Sequence, residues 1–200
     1  MLKLQEGFSK YLSFSRYING DDPSIQRKAT ELKNCSENEI ELVKNIYHFV
    51  RDEIKHSWDA QDKRVTVTST DVLKEKVGIC WAKANLLTAL LRANNIPTGI
   101  CYQRLTLGDT PDSGYCIHAL NAVYIKTIDK WIRLDARGNK AGVNAEFSLD
   151  REQLAFEIRT EYDEIDYEII YAEPLKITMD VLENSTDALY MYLHSLPERI

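Results

Sequence analysis

The chain has 200 residues, 44% of them hydrophobic, and a formal net charge of −6 with a pI near 5.3. That length suits one domain with a sizeable core, and the acidic balance argues against nucleic acid or an anionic membrane as partner, since both need a basic face. No apolar run is long enough to span a bilayer, and the start, Met1-Leu2-Lys3-Leu4-Gln5-Glu6, lacks the basic-then-apolar pattern of a signal peptide.

The expected location is therefore the cytoplasm, where Cys35, Cys80, Cys101 and Cys116 should be reduced. None of their spacings forms a CxxC or CxxH pair, which argues against a structural zinc site. Residues 1–200 show no repeat, low-complexity tract or separating linker, so a single domain is expected. Residues 1–24 read as a short strand or an irregular packing arm ending at the turn-like Asn19-Gly20-Asp21-Asp22-Pro23, and Ser24 to Lys33 as a short helix. Ser36-Glu37-Asn38-Glu39 has the spacing of a capping box. Behind it, Ile40, Val43, Tyr47, Val50 and Ile54 fall on one helical face, with Lys44, His48, Arg51 and Lys55 opposite; His48 then reads as a solvated helix residue. The helix gives way at His56-Ser57-Trp58-Asp59. A polar connection leads to Val65-Thr66-Val67-Thr68, then to a short helix from Thr70 or Asp71 to about Lys76.

The central stretch is Val77-Gly78-Ile79-Cys80-Trp81-Ala82-Lys83-Ala84, continuing to Arg92. Gly78 tolerates backbone angles that other residues resist and suits a sharp turn. Trp81 to Ala93 contains no proline or glycine and is rich in alanine and leucine, both good helix formers. Pro97 sets its limit near Asn94-Asn95. Being apolar nearly all round, this helix should be buried. A thiol at a helix start sees unpaired N–H groups and the positive end of the dipole, both of which favour thiolate.

Gly99 to Leu107 reads as a strand, and 108–114 as a loop by composition. Ile117 to Ile125 and Trp131 to Asp135 read as two further strands, joined closely enough for an antiparallel hairpin. A connecting loop of even length places His118 and Asp135 on the same side of the sheet. Phe147 to Glu168 suggests a helix followed by a charged stretch. From Phe156 to Glu173 there are seven acids against one base, Arg159, which reads as a solvated acidic face. Two short helices should close the chain, to about Glu183 and from Asp187 to Leu196, the second after a cap-like Ser185-Thr186.

A cysteine at a helix start, a histidine on one strand and an aspartate at the end of the next form the layout of a triad. The thiolate is the nucleophile, the imidazole moves the proton, and the carboxylate fixes the tautomer. Taken singly, Cys80 would be a small buried residue and His118 and Asp135 unremarkable strand residues; the three together favour catalysis. Trp131 and Cys116 read as packing, Cys35 and Cys101 as structural. Arg92 and Arg133 read as surface or ion-pair residues.

Gly78-Ile79-Cys80, Ala84, Ala89-Leu90-Leu91-Arg92 and Asn95-Ile96-Pro97 resemble the nucleophile helix of the transglutaminase-like superfamily. His118-Ala119 and Trp131-Ile132-Arg133-Leu134-Asp135 resemble its second and third motifs, and the resemblance covers about residues 36–140. It implies an α+β, papain-like fold, with the nucleophile helix packed on an antiparallel sheet. It also implies acyl transfer through a thioester: Cys80 as nucleophile, His118 as base and then acid, and Asp135 as the orienting group. The second oxyanion donor, beside the nucleophile's own N–H, is not singled out by the match; Trp58 is the first candidate and His56 the next. No metal and no cofactor is expected, since no EF-hand-like acidic loop is present. Hydrolysis of a peptide or side-chain amide is the expected reaction. The rivals are transfer to an amine and a catalytically silent scaffold of the same fold. Arylamine N-acetyltransferases share the triad, but Lys76-Val77-Gly78 stands here where they carry arginine-glycine-glycine.

Overall fold

The structure is a computed structural model that describes residues 2–108 and 110–200. Met1 of the N-terminal segment and Asp109 of the expected 108–114 loop lie outside the described residues. The first half of the chain holds β1 (Lys3–Leu4), α1 (Pro23–Asn34), α2 (Glu39–His48), β2 (Lys55–His56), α3 (Ser69–Glu75), β3 (Val77–Gly78) and α4 (Cys80–Ala93). The second half holds β4 (Thr98–Thr106), β5 (Tyr115–Ile125), β6 (Lys130–Leu134), β7 (Ile165–Asp166), β8 (Ile169–Ile170), α5 (Lys176–Glu183) and α6 (Ala188–His194). An antiparallel sheet runs in the order β6-β5-β4-β7, and two short parallel pairs, β1-β8 and β2-β3, flank it.

Every residue from Trp81 to Arg92 is buried, as the composition of α4 demands. The helix packs between the sheet and the N-terminal helices, and its leucines join Val43, Ile46 and Val50 of the first helical stretch in one core cluster with Ile117, Ala119 and Val123 of β5. Helices α5 and α6 add Met179, Leu182, Ala188 and Met191 to the same cluster. Asn95, with φ 60, ends α4 in a left-handed conformation ahead of Pro97.

Local chemistry differs from expectation at several helix ends. The cap of α2 is Asn38, whose side chain accepts from Glu41 N–H, not Ser36. Ser36 instead donates its hydroxyl to Leu32 O, and the Glu39 carboxylate accepts from the Thr127 N–H at 2.8 Å. The full capping box belongs to α3, where Thr68 and Asp71 satisfy each other's backbone N–H. Asp187, not Ser185 or Thr186, caps α6. After α2, the residues Phe49–Glu53 widen into a π-helical turn before the chain enters β2.

Gly78 does not have a positive φ; the left-handed residue at this corner is Lys76, with φ 58. Gly78 is needed for space. A Cβ there would stand 2.9 Å from Thr66 Oγ1 and 3.2 Å from Ala82 Cβ.

The β5–β6 hairpin has the register foreseen, from Ile125 opposite Lys130 to Asn121 opposite Leu134. The helix expected after Phe147 is absent. The chain there is irregular, because its backbone groups bond to partners out of helical register: Glu146 N to Gln153 O, Ala155 N to the distant Asp135, and Arg159 N to Glu164. Most of the acids that follow are exposed, but Glu164 is buried. Its carboxylate accepts from Thr106 N–H and Arg159, which hold its pKa down at about 2 against the opposing effect of burial.

Candidate active site

Cys80 is the first residue of α4, and Ile79 before it offers no side-chain cap. The first N–H groups of the helix are thus left without side-chain acceptors beside the thiol. His118 stands on β5, and Asp135 follows directly on β6. His118 Nε2 lies 2.7 Å from Asp135 Oδ2, and both residues are buried. The Cys80 charge also acts on the His118 ring, and with Nε2 committed to the carboxylate, Nδ1 is the nitrogen left for the thiol. The parity of the hairpin is what allows this. Residues 118 and 135 occupy the same side of the sheet, diagonal to one another just beyond the last paired rung.

The carboxylate is fixed from three directions. Asp135 Oδ1 accepts from Arg137 N–H at 3.1 Å and Oδ2 from Ala155 N–H at 3.1 Å, in addition to His118. Burial disfavours charge on His118, but the Asp135 and Cys80 charges outweigh it and carry its pKa up to about 10. Asp135 is held below the usual carboxylate range: burial works against it, and His118 together with the two backbone N–H groups prevails. The Phe156 ring meets His118 edge to face at 5.2 Å, and the Trp81 indole donates to Ile117 O at 2.8 Å, which ties the start of α4 to the residue before His118.

These groups open onto a cavity of about 1380 Å³. Both oxyanion candidates line it. His56 sits in β2 opposite Gly78 of β3, two residues before Cys80. Its ring is buried, its Nδ1 has no partner, and burial followed by the nearby Arg137 charge pushes its pKa well below the ordinary value, so it is neutral. Trp58 stacks on Tyr192 at 4.4 Å with planes 15° apart, and its indole N–H is not used in any hydrogen bond among the described residues.

Several residues at the site were not legible beforehand. Arg137 pairs with Asp59 at 2.5 Å, and Lys140 reaches the same carboxylate at 2.8 Å, drawing the 56–62 turn against the chain that follows Asp135. Lys83, inside α4, is fully buried and donates to the carbonyls of Ile54, Arg51 (3.3 Å) and Arg137 (2.9 Å). Burial, reinforced by the Arg137 charge, brings its pKa down to about 7. Arg92, expected at the surface or in an ion pair, is buried; it donates to the carbonyls of Thr98 and Ala172 and also forms the expected ion pair, with Glu173 at 4.0 Å. Arg133 is ion-paired as expected, with Glu152 and Asp166 at 2.6 Å each. Cys101 is packed and Cys116 half-buried on the cavity wall, whereas Cys35 is exposed at the end of α1 and has no packing role. Trp131 is half-buried, with its edge against Tyr11 and Phe8. His48 is half-buried as well, not fully solvated. No group of three or more His, Cys, Asp or Glu among the described residues could hold a metal ion, and no helix is long and apolar enough to cross a membrane.

A helix that begins with a thiol, packed on an antiparallel sheet that carries a histidine–carboxylate pair, defines a papain-like α+β class. The chain belongs to the transglutaminase-like superfamily, whose family profile matches residues 26–136. Among solved structures it is similar to a candidate cysteine protease from Cytophaga hutchinsonii, with 25% identity and a TM-score of 0.53 over 65% of this chain and 42% of the other. It is also similar to the periplasmic domain of TgpA from Pseudomonas aeruginosa, with 17% identity and a TM-score of 0.48 over 66% of this chain and 48% of the other. A structure described as a TGase matches at 19% identity and a TM-score of 0.42, over 78% and 42% of the two chains. The chain thus spans less than half the length of each of these. A search of curated proteins gives no match. The family, with the Cytophaga protein among its structural neighbours, supports a cysteine-dependent enzyme family.

Proposed function

We propose that the protein is a cysteine-dependent acyl-transfer enzyme that hydrolyses a peptide or side-chain amide through a thioester on Cys80. The observation that carries this is the buried 2.7 Å contact of His118 Nε2 with Asp135, on a histidine that lines the same cavity as Cys80, the first residue of α4. In this mechanism Cys80 Sγ attacks the amide carbonyl carbon while His118 is cationic. His118 then gives the Nδ1 proton to the departing amine as the carbon–nitrogen bond breaks. Water, deprotonated by the now neutral His118, attacks the thioester and frees the acid. The developing oxyanion meets the Cys80 N–H at the uncapped start of α4 and a second donor from the 56–58 turn. His56 and Trp58 both offer one: the His56 ring is neutral with its Nδ1 unpartnered, and the Trp58 indole N–H is unused among the described residues. The protein would act in the cytoplasm, where its thiols remain reduced.

Acyl-directed activity probes test the reading, with Cys80→Ala as control. Labelling of Cys80 that depends on His118, and release of free acid from a model amide, are the expected results. Acyl product appearing only when an amine is supplied would assign transfer instead of hydrolysis. Absence of both, with Cys80 no more reactive than Cys35, would leave a silent scaffold.

A further inference from the structure

Gln103 lies on β4 directly opposite His118 of β5 on one side and Asp166 of β7 on the other. It therefore shares a sheet face with His118. It is 1% exposed and lines the cavity. Its side chain makes no hydrogen bond among the described residues, and its buried Oε1 has no donor. An amide left in this condition is costly in a folded protein and marks a place where a partner from outside is expected. The neighbouring charges do not supply one. Arg133 is bound on three nitrogens by Glu152 and Asp166, and Glu164 by Arg159 and Thr106. The lining of the same cavity also includes the apolar side chains of Leu105, Leu154 and Phe156.

We propose that Gln103 docks the main chain of a peptide substrate: its carboxamide pairs with the N–H and C=O of one peptide group beside the bond that Cys80 attacks. This rests on the acyl-transfer reading of Cys80. A peptide group matches because it carries one donor and one acceptor, as the glutamine amide does. An ammonium or a carboxylate would satisfy only one end. The terminal torsion of glutamine is broad and roughly two-fold, so the amide can turn its oxygen towards the cavity when such a partner arrives. The apolar residues of the lining suit the side chain of an uncharged residue next to the docked peptide group.

The test compares two thiol-directed probes, methyl vinyl sulfone and an N-acetylated tripeptidyl vinyl sulfone with apolar side chains. The second-order rates of Cys80 labelling by each give a ratio that is internal to a sample, so partial unfolding lowers both rates and leaves the ratio unmoved. The wild-type protein should prefer the peptidyl probe. Gln103→Met should lower the ratio about 10-fold, as expected for the loss of one to two hydrogen bonds, with Tm equal to or above that of the wild type because an unpaired buried amide has been removed. Gln103→Asn, which keeps the amide but withdraws it by one carbon, should lower the ratio too. An unchanged ratio in both variants, or no peptidyl preference in the wild type, overturns the proposal while leaving Cys80 a nucleophile. Failure of both probes to label Cys80 ahead of Cys35 overturns the acyl-transfer reading, and the docking role falls with it.

Discussion

His118 is held by Asp135 through Nε2 and feels the Cys80 charge as well, and the consequences can be separated by substitution. Asp135→Asn preserves shape but removes the charge that holds the imidazole cationic, and should lower kcat/KM by roughly 10²- to 10⁴-fold and, below about pH 10, the stability that the raised His118 pKa contributes. Asp135→Ala should in addition destabilise the fold by about 1–3 kcal/mol, since it leaves the N–H groups of Arg137 and Ala155 without their acceptor. Urea titration of the two variants separates these effects. The thiols are also unequal. Burial pushes Cys101 and Cys116 up to about 12, whereas Cys80 has an imidazolium beside it. Iodoacetamide at pH 6 should therefore modify Cys80 ahead of Cys101 and Cys116, and His118→Ala should slow the Cys80 reaction. Peptide mapping reads all four sites, and equal modification of Cys80 and Cys116 would contradict the arrangement. Cys80, His118 and Asp135 could be found in the sequence because local spacing and strand parity place them. Lys83, Gln103 and Arg137 could not, because their roles depend on what faces them: the acceptors of Lys83 sit as far away as Arg137, and Asp59 lies far up the chain from Arg137.

At the level of elements, the β2–β3 pair is the device that brings the 56–58 turn to Cys80. It is only two residues long on each side and is set by the contact of Gly78 with Thr66 and Ala82. Gly78→Ala should lower stability by about 1–3 kcal/mol through overpacking and should reduce Cys80 reactivity further than the loss of folded protein explains. Within the turn, His56→Ala should cost about 10²- to 10³-fold in kcat if His56 supplies the second oxyanion donor, and Trp58→Phe much less; the reverse order would assign the role to Trp58. Helices with strong composition, such as α1 and α4, and the β5–β6 hairpin with its even turn were legible from local pattern alone. The 147–159 segment was not. Its polarity and spacing allow a helix, but each of its anchoring backbone groups meets a better partner supplied by tertiary structure, foremost the Asp135 carboxylate. A sequence carries no sign of a partner that only the finished fold provides. The cap of α2 differs for a milder reason: Ser36 and Asn38 are both competent caps, and the bond of Ser36 to Leu32 removes it from the choice.

For the whole molecule, two buried cations respond to pH in opposite directions. His118 is raised from 6.5 to about 10. Between those values the folded protein keeps a proton that the unfolded chain has lost, so its contribution is complete below about 6.5 and is lost as pH rises through about 10. Lys83 is lowered from 10.5 to about 7. Over that range the unfolded chain holds the extra proton, and stability rises with pH. The two slopes oppose each other between pH 7 and 10. Relative to the wild type, Lys83→Met should become less stable as pH rises through this range, and His118→Gln more stable. Scanning calorimetry at several pH values reads both, and slopes of the same sign would show that one assignment is wrong. Lys83→Met should also destabilise at every pH, because three carbonyls lose their donor.

The placement of the tryptophans has an optical consequence. Trp81 follows Cys80 directly, with its indole N–H held by the carbonyl of Ile117, and Trp58 lies against Tyr192 on the cavity wall; Trp131 stands apart, among Phe8, Tyr11 and Tyr124. Two of the three fluorophores thus flank the thiol and the third is remote from it. Chemistry at Cys80 should register as a change in intrinsic emission, read without a label and in real time. Trp131→Phe would remove the constant background, and Trp58→Phe would show which of the two neighbours carries the signal.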